Sequence, residues 1–189
     1  MIQKLQEKDI DEVAQLHKQE LSGFLPELGI GFLKKFYKAT LSVPEMFIFV
    51  IKANDHICGF VMGIPRTKGL YKKVILTDIF GFGILLMNYF ITHPTSFMKY
   101  IKLLAYPGFS KDSPELLTIA IGKKYRGRGF GRKLFHKTVA EFRKKGIPYF
   151  RISAYDRLAA NGFYKKMGCR KETSFEFLGE KMNYYRYEV

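Results

Sequence analysis

The stretch Arg126-Gly127-Arg128-Gly129-Phe130-Gly131 is where residue type and spacing point most directly to chemistry. Glycine takes φ > 0 and lets a backbone approach a ligand closely, while guanidinium groups pair with phosphate oxygens. A strand running into such a turn, with a helix starting from it, aims unpaired N–H groups at one point. The helix dipole adds roughly 0.3–1 kcal/mol per charge there. The turn therefore reads as an anion site, and Arg132 adds charge beside it. Two nucleotide motifs fail on inspection. The dinucleotide fingerprint G-x-G-x-x-G needs a third glycine where Arg132 stands, or, in the next frame, where Leu134 stands. No G-x-x-x-x-G-K-[ST] string is present for a P-loop.

The elements around the turn can be read from periodicity. Residues 115–121 (ELLTIAI) form a strand that leads straight into it. Residues 129–145 form a helix with Leu134, Phe135, Val139 and Phe142 at helical spacing, stopped by Gly146 and Pro148. A strand over 149–154, a helix over 158–167 closed by Gly168, and a hairpin of 175–177 with 182–187 complete the C-terminal part. Upstream, a short strand over 2–5 precedes a helix whose capping box is read as Asp9 with Glu12. Its apolar face carries Ile10, Val13, Leu16 and Leu21. A second amphipathic helix over 30–41 turns Leu33, Phe36 and Tyr37 inward. The run 46–53 (MFIFVIKA) reads as a strand buried on both faces, joined through Asn54-Asp55 to a strand over 56–64. Residues 66–114 are aromatic-rich, with helices expected over 79–90 and 95–104, and read as an insertion too short to hold its own core. The whole chain, 1–189, is thus expected to be one α/β domain, with the strand, glycine turn and helices of about 115–168 at its centre.

Composition narrows the classes. Hydrophobic residues make up 47% and charged residues 26%, an ordinary globular balance. The first residues lack the apolar core of a signal peptide. The apolar run 79–91 falls short of the roughly 20 residues of a spanning helix, so no transmembrane segment is expected and the protein reads as cytoplasmic. Cys58 and Cys169 are too few for a disulfide framework or a zinc site, and no metal is expected. The net charge is +15, and residues 122–145 alone carry ten Lys or Arg against Glu141. That cluster suits nucleic acid, anionic lipid or a phosphorylated cofactor, and a solvated basic face accounts for it equally well. No nucleic-acid motif accompanies it, so no nucleic-acid partner is expected. His17 and His136 read as surface or boundary residues and His93 as a helix-end residue. None pairs with a Ser or Cys at recognisable spacing, so a triad hydrolase is not expected.

Arg126-x-x-Gly129-x-Gly131, followed by Leu134, resembles the [Q/R]-x-x-G-x-[G/A] coenzyme A signature of the GCN5-related N-acetyltransferases (GNATs). Downstream, Ala160-Asn161-Gly162-Phe163-Tyr164-Lys165-Lys166-Met167-Gly168 is similar to that family's A-N-x-F-Y-x-x-x-G stretch. Ile57-Cys58-Gly59-Phe60 resembles its hairpin strand. The resemblance implies a mixed, mostly antiparallel central sheet with a V-shaped splay, flanked by helices. It implies acetyl-CoA as co-substrate and acetyl transfer to a primary amine by direct attack. Backbone groups of Ile119, Ala120 and Ile121 would then hold pantetheine, Arg126, Gly127, Arg128, Gly129, Phe130 and Gly131 the pyrophosphate, and Asn161 would also contact the cofactor. Arg157, Lys165 and Lys166 are candidates for the 3′-phosphate. Tyr164 would protonate the leaving thiolate, as a phenol near pKa 10 can.

The family commonly has an Asn just after the 149–154 strand, where Asp156 and Arg157 stand here. The general base is not assigned: Glu27, Asp78, Glu115 and Asp156 are candidates, each read first as a surface charge. The acceptor, a small-molecule or protein amine, is left open, as is a homodimer. A basic nucleic-acid or membrane-surface module and a non-catalytic CoA sensor are the competing classes.

Overall fold

The computed structural model of the chain describes residues 1–96, 112–177 and 179–189. Seven strands form one sheet: β1 (Ile2–Lys4), β2 (Phe47–Ala53), β3 (His56–Ile64), β4 (Glu115–Ile121), β5 (Tyr149–Tyr155), β6 (Arg170–Phe177) and β7 (Glu180–Glu188). Their spatial order is β1-β2-β3-β4-β5-β7-β6. Every pairing is antiparallel except β4 with β5. Before β4 come α1 (Ile10–Glu20), α2 (Phe24–Glu27), α3 (Ile30–Thr40), α4 (Leu70–Leu76) and α5 (Ile79–Thr92); after it come α6 (Phe130–Lys144) and α7 (Ala160–Lys166). The mixed, mostly antiparallel sheet expected from the sequence is present.

The near-continuous apolar run of β2 is explained by two cores, one on each face of the sheet. Strand side chains alternate between faces. Ile48 and Val50 join one core with Val13, Leu33, Phe36 and Tyr37 of α1 and α3. Phe47, Phe49 and Ile51 join the other with Leu134, Phe135, Val139 and Phe142 of α6. Each fully buried Phe or Leu contributes about 1.5–3 kcal/mol through lost apolar surface. At the hairpin tip Asn54 and Asp55 have φ of 49° and 62°, the left-handed values that a two-residue type I′ turn requires.

Two N-terminal expectations need correction. The capping interaction lies one turn earlier: Asp9 Oδ2 accepts from the Gln6 N–H at 3.1 Å. Glu12 instead accepts from the Ile57 N–H at 2.8 Å, tying α1 to β3. His17 is a core residue, 3% exposed, not a surface one. It falls on the face of α1 that carries Ile10, Val13 and Ala14, and its Nδ1 meets the Tyr37 hydroxyl at 2.6 Å. Burial lowers its pKa to about 4, so it is neutral in the fold.

Of the region 66–114, α4 was not anticipated and α5 extends two residues beyond its expected end. The helix expected over 95–104 lies for the most part outside the described residues. Leu70 and Val74 of α4 and Phe82 of α5 enter the core that holds α1 and α3, with Phe82 edge-on to Phe32 at 5.3 Å.

Candidate active site

β4 positions everything that follows. Its first residue, Glu115, is opposite Arg151 of β5, and the Arg151 N–H donates to the Pro114 carbonyl at 2.8 Å. Beyond that pair no register joins β4 to β5 among the described residues, so the two parallel strands diverge. The divergence leaves the β5-facing edge of Ile119, Ala120 and Ile121 without a strand partner, while β3 pairs the other edge through Gly59, Phe60 and Val61. Gly59 is required at this contact. A Cβ there would be 2.3 Å from Ile121 Cδ1 and 2.9 Å from the Ala120 carbonyl oxygen.

The turn at the C-terminal end of β4 is built as the sequence suggests. Gly127 and Gly129 have φ of 76° and 78°. Gly129 is the N-cap of α6, no side chain caps that helix end, and no acidic residue occupies its first turn. Free N–H groups and a positive dipole end thus face outward among exposed arginines, which is what a phosphate ligand requires. Gly131 packs under α7: a Cβ there would be 3.4 Å from the Phe163 ring, room for a methyl group and little more. Arg126 is tethered rather than outstretched. Its Nε donates to the Ile121 carbonyl at 3.1 Å and its Nη2 pairs with Glu20 of α1. Glu20 also accepts from the Lys123 N–H at 2.7 Å, so one buried-side carboxylate holds both flanks of the approach to the turn.

The N-terminal end of β4 opens on a cavity of about 280 Å³ that spans the splay. Glu115, Leu117 and Thr118 of β4 line it, with Ser153 of β5, Tyr71 of α4, and Phe175, Phe177, Met182 and Tyr184 of the β6–β7 hairpin. A β-bulge produces that lining. Met62 pairs with Thr118 and Gly63 with Leu116, so Leu117 is an extra residue, and the strand on either side of it presents side chains to the same cavity. Glu115 accepts from the Ser113 hydroxyl at 3.1 Å. Burial pushes its carboxyl up to about 7, against that hydrogen bond and the Arg151 charge, which both pull it down. The expected surface carboxylate is therefore a half-buried acid poised near neutrality.

The sequence model of the acetyltransferase (GNAT) family matches residues 10–169. The chain belongs to that family. Several solved structures share the GNAT fold. The ribosomal-protein-S18-alanine N-acetyltransferase of Escherichia coli aligns with a TM-score of 0.62 at 14% identity, over 100% of this chain and 93% of that one. The PaiA N-acetyltransferase of Thermoplasma acidophilum, solved in complex with coenzyme A, aligns with a TM-score of 0.62 at 15% identity, over 99% and 98%. An N-acetyltransferase of Staphylococcus aureus aligns with a TM-score of 0.65 at 12% identity, over 100% and 97%. No curated protein sequence matches the chain significantly.

Within this GNAT chain the other predicted groups fall in different places. Tyr164 is buried between Phe163 and Tyr185, on the β5 side of the splay, and burial holds its phenol well above its usual pKa. It does not line the cavity that contains Glu115. Asn161 has its amide committed internally: Nδ2 donates to the carbonyls of Tyr155 at 2.8 Å and Leu158 at 2.7 Å, and Oδ1 accepts from Tyr185 at 2.9 Å and Asn183 at 3.0 Å. That network fastens the start of α7 to β7. Asp156 takes part in it by accepting from Asn183 at 2.7 Å. Asp78 caps α5 through the Gly81 N–H at 2.9 Å and pairs with Lys35. Glu27 is an exposed residue of α2. Arg157 pairs with Glu180 at 2.6 Å. Of the four carboxylates weighed as bases, only Glu115 combines burial, a raised pKa and a cavity. What sequence reasoning missed was the bulge at Leu117 and the Glu20 tether, since neither leaves a local signature in ELLTIAI or in α1.

Proposed function

We propose that the protein is an acyl-CoA-dependent N-acetyltransferase that acetylates a primary amine by direct attack, with Glu115 as general base and Tyr164 as general acid. The observation that carries this reading is the position of Glu115. Its carboxyl, with a pKa near 7, lines a cavity running into the opening between β4 and β5, and the anion-binding turn stands at the other end of the same strand.

The residues fit the co-substrate in two respects. The unpaired edge of Ile119, Ala120 and Ile121 offers backbone groups to a pantetheine amide chain. The uncapped start of α6, with Gly127, Gly129, Phe130 and Gly131, offers N–H groups to a pyrophosphate, beside the exposed charges of Arg128 and Arg132. Arg126 and Asn161 act by positioning: one braces the turn against α1, the other holds the α7 end in place. Acetyl-CoA supplies the activated thioester. Glu115 accepts the proton that an ammonium group must lose before its nitrogen can bond to the acetyl carbon. Tyr164, kept protonated by burial, gives a proton to the sulfur as the C–S bond breaks, and the proton that the nitrogen sheds on becoming an amide restores it. A cavity of about 280 Å³ with aromatic walls suits one compact amine-bearing group, free or at the end of a chain.

The test is release of free CoA from acetyl-CoA across amino sugars, polyamines, amino acids and peptide N-termini. Tyr164→Phe serves as the control and is expected to lower kcat about ten-fold or more. Stabilisation by acetyl-CoA without turnover on any amine would leave a CoA sensor as the function. Unchanged turnover in Tyr164→Phe would remove Tyr164 from the mechanism.

A further inference from the structure

α5 does not match the rest of the surface. Its sequence, IFGFGILLMNYFIT, has no charged residue in 14 positions, although the protein carries +15 overall. Only one side of the helix has a reason to be apolar. Phe82 is buried against Phe32, and Leu85, Leu86, Tyr89 and Phe90 pack on the same core. The opposite side faces solvent with equally apolar residues: Phe80 is 83% exposed, Ile91 71%, Met87 57% and Ile84 55%. Positions 80, 84, 87 and 91 follow helical spacing and form one stripe of about 17 Å at 1.5 Å per residue. Leu76 and Ile79, both more than half exposed, extend it across the α4–α5 junction. A helix apolar all round belongs in a core or in lipid, and contiguous exposed apolar surface of this kind marks an interaction site.

No single helix among the described residues is long and apolar enough to cross a membrane. α4 and α5 reach the required length and hydropathy only together, and they meet at a bend of 105°. α4 is fixed to the protein core through Leu70 and Val74. α5 is therefore held flat against the body of the protein, the geometry of a helix that rests on an interface.

Charge selects the occupant. Residues 66–96 carry Arg66, Lys68, Lys72 and Lys73 against Asp78 alone; Arg66 pairs with Asp112 and Lys73 with Glu45, while among the described residues Lys68 and Lys72 form no ion pair. A second copy would bring another +15 to the same contact. A protein partner recognised by charge would find no ionic group on α5 to pair with. An anionic bilayer accepts both features: acyl chains take the stripe and headgroups attract the flanking cations. We propose that the solvent face of α5 docks this protein on an anionic lipid surface, with Phe80, Ile84, Met87 and Ile91 inserted at the headgroup boundary. The proposal does not depend on the reaction assigned above.

The test is co-sedimentation of the full chain with phosphatidylcholine vesicles, with and without phosphatidylglycerol. Binding is expected to be about ten-fold stronger with the anionic lipid and to weaken, but not vanish, as salt rises. The triple variant Phe80→Ser, Ile84→Ser, Ile91→Ser is expected to lose about ten-fold or more of that binding. It should keep its melting temperature and its stabilisation by acetyl-CoA, because the three side chains are mostly in solvent. If the triple variant does not fold, Phe80→Ser alone decides, with a loss of about three-fold or more expected. Three results overturn the proposal: no binding to anionic vesicles, equal binding by the folded variant, or self-association that the same substitutions abolish while vesicles are not bound.

Discussion

At the C-terminal end of β4 the ligand-facing groups are backbone: an unpaired strand edge, two glycines with φ near 77° and the free N–H groups of α6. At its N-terminal end the equivalent position belongs to side chains, with Glu115 facing a cavity walled by α4, β5 and the β6–β7 hairpin. The two ends are separated by a seven-residue strand and by the bulge at Leu117. On the proposed function one end is a generic receptor for a phosphorylated carrier. The other is assembled from residues more than a hundred positions apart, from Leu25 to Tyr184. On the same proposal the difference separates the roles: binding of the co-substrate would reside in main-chain geometry, while acceptor choice and proton removal would reside in side chains.

Glu115→Gln strikes the N-terminal end and carries the largest expected effect. kcat/KM for the acceptor should fall about a hundred-fold, the scale of a lost general base, with stabilisation by acetyl-CoA unchanged. The rise in parent activity with pH through about 7 should disappear. The same group affects stability with a definite sign. Its carboxyl has a folded pKa of about 7 against an ordinary 4.5, so the native state holds more protons than the unfolded chain between those values. Parent stability is therefore lost as pH rises through that window, and Glu115→Gln should melt higher than the parent above pH 7 but not below 4.5. Equal melting curves at alkaline pH would mean that Glu115 titrates normally.

Gly129→Val strikes the C-terminal end. A β-branched residue at φ 78° strains the cap of α6 by roughly 1–3 kcal/mol, so KM for acetyl-CoA should rise about ten-fold and the thermal shift by acetyl-CoA should shrink. The pH limb set by Glu115 should remain where it was. Movement of that limb would show that the two ends are coupled rather than separate.

Glu20→Gln should have the smallest effect and tests the brace beneath the turn. It removes the charge that holds Arg126 while leaving an acceptor for the Lys123 N–H. The Arg126 guanidinium is largely exposed, so the lost ion pair is worth about 0.2–1 kcal/mol, and KM for acetyl-CoA should rise about two- to five-fold with kcat held. A change in kcat alone would place Glu20 outside the cofactor end.

The asymmetry between the ends also explains what was legible beforehand. The turn could be read because its chemistry is local: glycines at fixed spacing between an apolar strand and an amphipathic helix permit few other structures. Gly59 was legible as part of a pattern, and the structure supplies its reason, a backbone contact with β4 that no side chain could tolerate. In the sequence Glu115 reads as a surface charge. Its burial depends on Phe175, Phe177 and Tyr184 returning across the splay some sixty residues later, which no local pattern encodes. His17 failed the same way, since a histidine on an amphipathic face is a core residue only when a partner such as the Tyr37 hydroxyl is waiting. The motif points Asn161 at the cofactor, yet its hydrogen bonds join β5, α7 and β7.

By itself the sequence determined the order of the strands and of the longer helices, the glycine turn between β4 and α6, and the family, because these rest on hydrophobic period, glycine conformation and the spacing of a few residues along one segment. Tertiary structure alone decided which carboxylate is half-buried beside the opening, where the strand bulges to aim it, and that one face of α5 is left apolar in solvent. Those outcomes turn on desolvation, and whether a group loses its water depends on neighbours that the chain brings together only when it folds.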